Sequence, residues 1–387
     1  MREVSIVGIG QTDVAEHWEQ SLRQLATEAI WAALQDAHLE KVDALYVGNM
    51  LSGELTGQQH LGALVADHAG LQGVEAVRVE AACASGASAL RSGYAAVAGG
   101  LADVVVVVGV EKMSDQPGTV VTKGLVSAAD ADFEAEMGLS FVAINALLMR
   151  RYMHEYGIRH DEFAPFVVSA HANAQGNPHA MLRFPVTMED FARAKMIADP
   201  VNLLDSSPIC DGAAALVLCS TEHARSLRRP STRIRACSVG TDRLALHDRR
   251  NPLAFGAVEL SARRAFAQAG LQPVDIDLFE AHDAFSIVTV LSLEACGFAA
   301  VGRGVDLGAN GDIALDGRLP LSTLGGLKAR GHPVGATGTY QVAELVLQLR
   351  GEAGKNQVKK ANLGMAQNIG GSGATVVTTI LEADSKV

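Results

Sequence analysis

The stretch "VRVEAACASGASALRSGYAAVAGGLADVVVVVG", Val77 to Gly109, sets a strand pattern, a helix pattern and a second strand in immediate succession. Leu90, Tyr94, Val97 and Leu101 recur at helical spacing, and the pair Gly99-Gly100 is a stop signal for that helix. Val104 to Val108 is an unbroken apolar run, the mark of a strand buried on both faces. Strand and helix in alternation predict an α/β chain with a mostly parallel sheet. One cysteine, Cys83, stands where the first strand gives way to the helix, among Ala82, Ala84, Ser85 and Gly86.

Working outward, "VSIVGIG", "DALYVGNM", "RIRACSVG", "IDLFEAHDAF" and "ATVVTTIL" repeat the apolar strand pattern. Val342, Leu345, Val346 and Leu349 mark a second helix that ends at Gly351. The two halves echo one another. "VSIVGIG" has a counterpart in "IRACSVG", and the small-residue helix entry after Cys83 has one in "GHPVGATGTYQVAELVLQLRG". A duplicated α/β unit accounts for both, with halves over residues 1–230 and 231–387. Between Glu111 and about Leu204 the alternation fails, and the chain becomes rich in Met, His, Asn and Pro. The expectation is an insertion over about 112–204, forming a cap over the first half.

The 387 residues, 48% hydrophobic and 19% charged, are enough for a large core. A net charge of -11 disfavours a nucleic-acid partner, whose phosphates demand clustered Lys and Arg. Five cysteines at 83, 210, 219, 237 and 296 form no Cys-x-x-Cys pair, so neither a disulfide frame nor a metal site is expected, and a reducing compartment is. "MREVSIVGIGQTDV" has no apolar segment of signal length, and Val104–Val108 is far too short to span a bilayer. The expectation is a cytoplasmic protein with no membrane partner.

Four stretches carry chemistry. Cys83 at a helix start sits near the positive end of the helix dipole, which favours thiolate over thiol; the alternative is a buried core cysteine, the commoner fate of that residue. In "GGLKARGHPVGATG", His332 between Gly331 and Pro333 has a constrained backbone and could serve as a base for a cysteine, or be a turn histidine. "EAHDAF" closes a strand and puts His282 and Asp283 at its carboxyl edge, where open α/β sheets bind ligands. Neighbours on a strand point to opposite faces, and no second ligand stands at helical spacing, so a metal site is not expected there. In "AQNIGGSGATVV", Gly370, Gly371 and Gly373 offer free N–H groups to an anion, without the Gly-Lys-Ser/Thr of a P-loop.

In this order, and together with "VSIVGIGQT" and "LLDSSPICDGAAALVL", these stretches resemble the thiolase family over nearly the full chain. "SAHANAQGNPHAML" and His-Asp-Ala-Phe look like the sterol-carrier-protein branch, and the combination is also similar to archaeal-type acetoacetyl-CoA thiolases. The resemblance implies the thiolase fold, two duplicated αβαβα halves, and thioester exchange on coenzyme A. Cys83 would form an acyl-enzyme with His332 as its base. His332 and His282 would polarise the thioester oxygen of the second substrate, and the N–H groups of Cys83 and Gly370 would form the other oxyanion hole.

One position departs from the family. Where most thiolases carry a second cysteine that moves the α-proton, this chain has Asn368, and the branch's His-Asp-Cys-Phe is His-Asp-Ala-Phe with Ala284. Asparagine is neither acid nor base near pH 7, so the proton must pass through another group, with His282 the first choice. The resemblance further implies acyl-CoA and coenzyme A as substrates, no metal or redox cofactor, a homodimer or homotetramer, and a small partner protein of zinc-ribbon and OB-fold type. Two rivals stand beside acyl transfer: a retro-aldol carbon–carbon lyase on the same fold, and a non-catalytic acyl-CoA-binding subunit.

Overall fold

The computed structural model describes residues 1–384. Its strands are β1 (Val4–Gln11), β2 (Ala44–Gly48), β3 (Glu75–Val79), β4 (Val104–Glu111), β5 (Met196–Ala198), β6 (Val201–Asn202), β7 (Gly212–Ser220), β8 (Thr232–Thr241), β9 (Leu278–Glu280), β10 (Leu363–Gly370) and β11 (Thr375–Ala383). β5 and β6 form a small hairpin. The other nine make one sheet in the order β3-β2-β4-β7-β1-β8-β11-β10-β9. Outward from the β1/β8 junction the halves correspond: β7 with β11, β4 with β10, and β2 with β9, while β3 belongs to the first half alone.

The mostly parallel sheet is a correction. Only β2/β3, β2/β4 and β9/β10 run parallel. The pairs β4/β7, β7/β1, β1/β8, β8/β11 and β11/β10 are antiparallel. Unbroken apolar runs report burial on both faces, and here layering supplies that burial whatever the strand direction. The helix Leu22–Ala37 covers β1 and β7 on one side, and Gly256–Ala269 covers β8 and β11. On the inner side the helices Ser85–Gly99 and Thr337–Arg350 pack on each other between the two half-sheets, and Thr337–Arg350 touches β10 of its own half and β7 of the other. The result is a five-layer αβαβα arrangement of two halves, as the resemblance implies.

The central helices follow the sequence pattern. Leu90, Tyr94 and Val97 are buried, as are Val342, Leu345, Val346 and Leu349, and both helices end on left-handed glycines, Gly100 and Gly351. Leu101 lies beyond the helix and is exposed, because Gly100 has already turned the chain.

The insertion between β4 and β7 also departs from expectation. It leaves the first half in sequence but packs on the second: Met149, Tyr152, Phe163, Phe166 and Phe191 share one core with Phe255, Phe279, Leu291 and Phe298. Its longest helix, Phe141–Tyr156, lies against Ser286–Ala295. Among the described residues no helix is long and apolar enough to cross a membrane.

Candidate active site

Cys83 sits just ahead of the helix Ser85–Gly99, whose N-cap is Ala84. The turn is tight. Ala82 has φ 52°, a left-handed conformation that costs a Cβ-bearing residue energy. Ser85 clips it, its hydroxyl donating to Ala82 O at 2.6 Å and accepting Ala81 N–H at 2.9 Å.

His332 arrives from the other half. Gly331 has φ 116°, and a Cβ there would press on Val14 and the Cys210 sulfur. Cys210 accepts the His332 N–H at 3.0 Å, so this thiol holds the histidine backbone. The cap holds the same loop from outside: Asn173 Nδ2 donates to Ser322 O at 3.1 Å and Asn177 Nδ2 to Leu324 O at 2.8 Å. Glycines then let the first turns of the two central helices come into close contact. A Cβ on Gly86 would lie 2.8 Å from Gly335 O, and one on Gly338 would collide with Ala87 N.

Glu111 at the end of β4 ties these pieces together. Its buried carboxylate accepts N–H groups from Met50 at 2.9 Å, Leu51 at 3.1 Å and Gly335 at 3.0 Å, and the Asn49 amide at 2.8 Å. Burial still pushes its pKa up to about 7 against the pull of those donors.

Cys83, His282 and His332 line one cavity of about 260 Å³. Its walls are mainly apolar, with Phe141 and Val142 from the cap facing Phe255, Phe285, Val288 and Ile369. Of the other cap residues that could shape an acyl pocket, Met137 is exposed, Met149 lies in the core, and Leu139 lines a different groove. Arg183, Arg193 and Lys195, the cap cations that sequence offers for the coenzyme A phosphates, do not line the cavity, and Arg193 is paired with Glu189 at 2.5 Å. Asp283, in the loop beyond β9, turns away from the cavity to accept Leu327 N–H at 2.7 Å.

Asn368 lies behind this wall, with Nδ2 3.2 Å from His282 Nδ1. Of the glycine-rich turn, Gly371 rather than Gly370 reaches the cavity, and its N–H pulls the Cys83 thiol pKa downward. Gly370 closes β10, where a Cβ would strike Ala81 O.

The electrostatics overturn one expectation. Burial pushes the Cys83 thiol up to about 12, and the nearby Glu111 adds to the rise, outweighing the Gly371 N–H. The resting sulfur is a thiol despite the helix start. Burial and the Arg330 charge push His282 down to about 3, and burial, His282 and Arg330 hold His332 well below the usual histidine range. The rings meet edge to face, with centroids 5.1 Å apart.

A stability prediction follows from these depressed values. An unfolded histidine binds a proton below about pH 6.5, while the folded His282 stays neutral until about pH 3. Stability present above pH 6.5 is therefore lost as pH falls toward 3, at up to about 1.4 kcal/mol per pH unit for each such group. Urea unfolding at pH 7 and pH 5 should show a smaller acid loss for His282→Asn than for the wild type; an equal loss would refute the assignment.

The match to known proteins is extensive. The family model "Thiolase, N-terminal domain" covers residues 4–222, and "Thiolase C-terminal domain-like" covers 238–383. An acetyl-CoA acetyltransferase of Methanothermobacter thermautotrophicus is 46% identical across 98% of this chain and 99% of its own length. Human sterol carrier protein 2 is 31% identical across 98% of this chain and 72% of its own. Among solved structures, the Ltp2-ChsH2(DUF35) aldolase is 30% identical with a TM-score of 0.87, covering 100% of this chain and 99% of that one. The chain belongs to the thiolase family and is an acyltransferase of the thiolase type.

Proposed function

We propose that the cavity performs acyl transfer between coenzyme A thioesters, with acetyl-CoA the smallest donor. The observation that carries this reading is the convergence of one thiol and two neutral imidazoles, from opposite halves of the chain, on a single apolar cavity. His332 takes the Cys83 proton as sulfur attacks the thioester carbonyl, and returns it to the departing coenzyme A thiolate. The Gly371 N–H and the start of the Ser85–Gly99 helix face the oxyanion that forms at the attacked carbonyl. The chemistry as written calls on no metal or redox cofactor. His282 then serves the second substrate, whose enolate attacks the acyl-enzyme.

Incubation with acetyl-CoA followed by peptide mass spectrometry tests this. An acetyl group on Cys83, and acetoacetyl-CoA in solution, are the expected result. The 30% likeness to an aldolase favours carbon–carbon lyase activity as a second reading. A lyase would cleave a hydroxyacyl-CoA without leaving any adduct on Cys83, and a binding subunit would do neither.

The name of that aldolase joins Ltp2 to ChsH2(DUF35), which supports a small partner of zinc-ribbon and OB-fold type for this chain. Edge strand β3, with Val77 exposed, supports a homo-oligomer built on the first half. Five free cysteines suit a cytoplasmic role in lipid or acyl-CoA metabolism.

A further inference from the structure

We propose that Asn368 and Thr337 are positioning residues that hold His282 and His332 in opposite neutral tautomers, leaving His332 Nε2 as the single proton acceptor for both the thiol and the α-carbon. The inference rests on the acyl-transfer reading above and deepens it.

The tautomers follow from donor counting. The Thr337 hydroxyl has one hydrogen, and it donates that hydrogen to Pro333 O at 3.1 Å. Toward His332 Nδ1, 2.6 Å away, it can then only accept, so Nδ1 carries the proton and Nε2 is bare. At His282 the arrangement is reversed. Asn368 Nδ2 is a donor, so His282 Nδ1 must accept and its proton sits on Nε2. The other end of the amide, Oδ1, is buried close to Gly338 and meets no donor, so the contact to His282 is the hydrogen bond that orients Asn368. Burial keeps both rings neutral, as their depressed pKa values indicate.

Nothing else on the cavity wall competes for a proton. Among the described residues the lining includes no carboxylate, lysine or tyrosine, and acylation has already used the Cys83 thiol. The second half-reaction therefore runs as follows. His332 Nε2 removes a proton from the α-carbon of the second thioester, and the electron pair moves onto the thioester oxygen, which His282 Nε2–H receives. The enolate carbon then attacks the acyl carbonyl. A carbon–carbon bond forms, the bond from that carbonyl to the Cys83 sulfur breaks, and the thiolate recovers the proton from His332. Asn368 thus stands in place of a second acid–base group by making its neighbour a fixed donor.

The test separates donor from base. Acetyl-CoA is incubated in deuterated water, and α-hydrogen exchange and Cys83 acylation are followed together in wild type, His282→Asn, His282→Leu and Asn368→Leu. Asparagine offers an N–H but cannot accept a proton, so His282→Asn should slow exchange about tenfold and His282→Leu at least about a hundredfold. Asn368→Leu should slow exchange several-fold more than acylation. If His282→Asn loses exchange as completely as His282→Leu, His282 is the base and the proposal is overturned. Nitrogen-15 NMR of histidine-labelled protein reads the tautomers in the resting wild type, with the two rings assigned by their loss in His282→Asn and His332→Asn. Protonated Nε2 on His282 with protonated Nδ1 on His332 is expected, and matching tautomers would refute the proposal. A wild type that forms no adduct would overturn the acyl-transfer reading, while the NMR pattern would still decide the tautomers.

Discussion

Cys83→Ala should form no acyl adduct and should lose at least about 10⁴-fold in thioester exchange, the scale of a lost covalent nucleophile. No other thiol can substitute. Cys210, Cys219, Cys237 and Cys296 are buried, and none lines the cavity. Cys210 is engaged with the His332 backbone and Cys296 with the Gln367 amide. Alanine leaves a smaller side chain on a wall already lined by Met113 and Val334, so folding should be retained. The measurement is intact-protein mass spectrometry after acetyl-CoA treatment, with circular dichroism as the check on folding. An adduct that persists in a folded variant would place the nucleophile elsewhere.

His332→Ala should slow acylation by about 10² to 10⁴-fold near neutral pH, because a thiol held at about 12 has almost no thiolate without a base beside it. The shape of the rescue is the sharper result. With the base gone, acylation should rise about tenfold for each pH unit between 7 and 10, with no plateau in that range, since only the thiolate fraction changes. A plateau near pH 8 would mean that the thiol is already activated by its helix start. An unchanged rate at all pH values would remove His332 from the step.

The strand-to-helix junction at Cys83, the constrained turn at His332 and the loop that leaves a strand at His282 were legible because each is a local pattern with a local cause. What surrounds them was not. The Cys210 thiol and the His332 N–H are 122 residues apart, and Glu111 and Gly335 are 224 apart, so no window of sequence contains the bonds that position the site. The Cys83 thiol was misjudged for a related reason: a helix start is a local feature, but burial by Met50, Leu55 and Val334 is not. Sheet direction was hidden because valine runs such as β4 record burial on two faces and not the sense of the neighbour. β7 and β10, "GAAALVLCS" and "LGMAQNIG", escaped the strand pattern because small residues replace β-branched ones where the central helices press closest.

The seam between the halves is narrow in the sheet: β1 and β8 share only the pairs Ser5 with Arg233 and Ile6 with Thr232. Cys83, the proposed nucleophile, lies on one side of it, and His332, the proposed base, on the other. The chemistry is therefore a proximity gauge for the whole molecule, silent whenever the halves part even if each stays folded. Cut at the loop near Arg228, the two fragments would each be inert and mutually dependent, and the return of acyl transfer on mixing would report their reunion more sensitively than any spectrum of secondary structure.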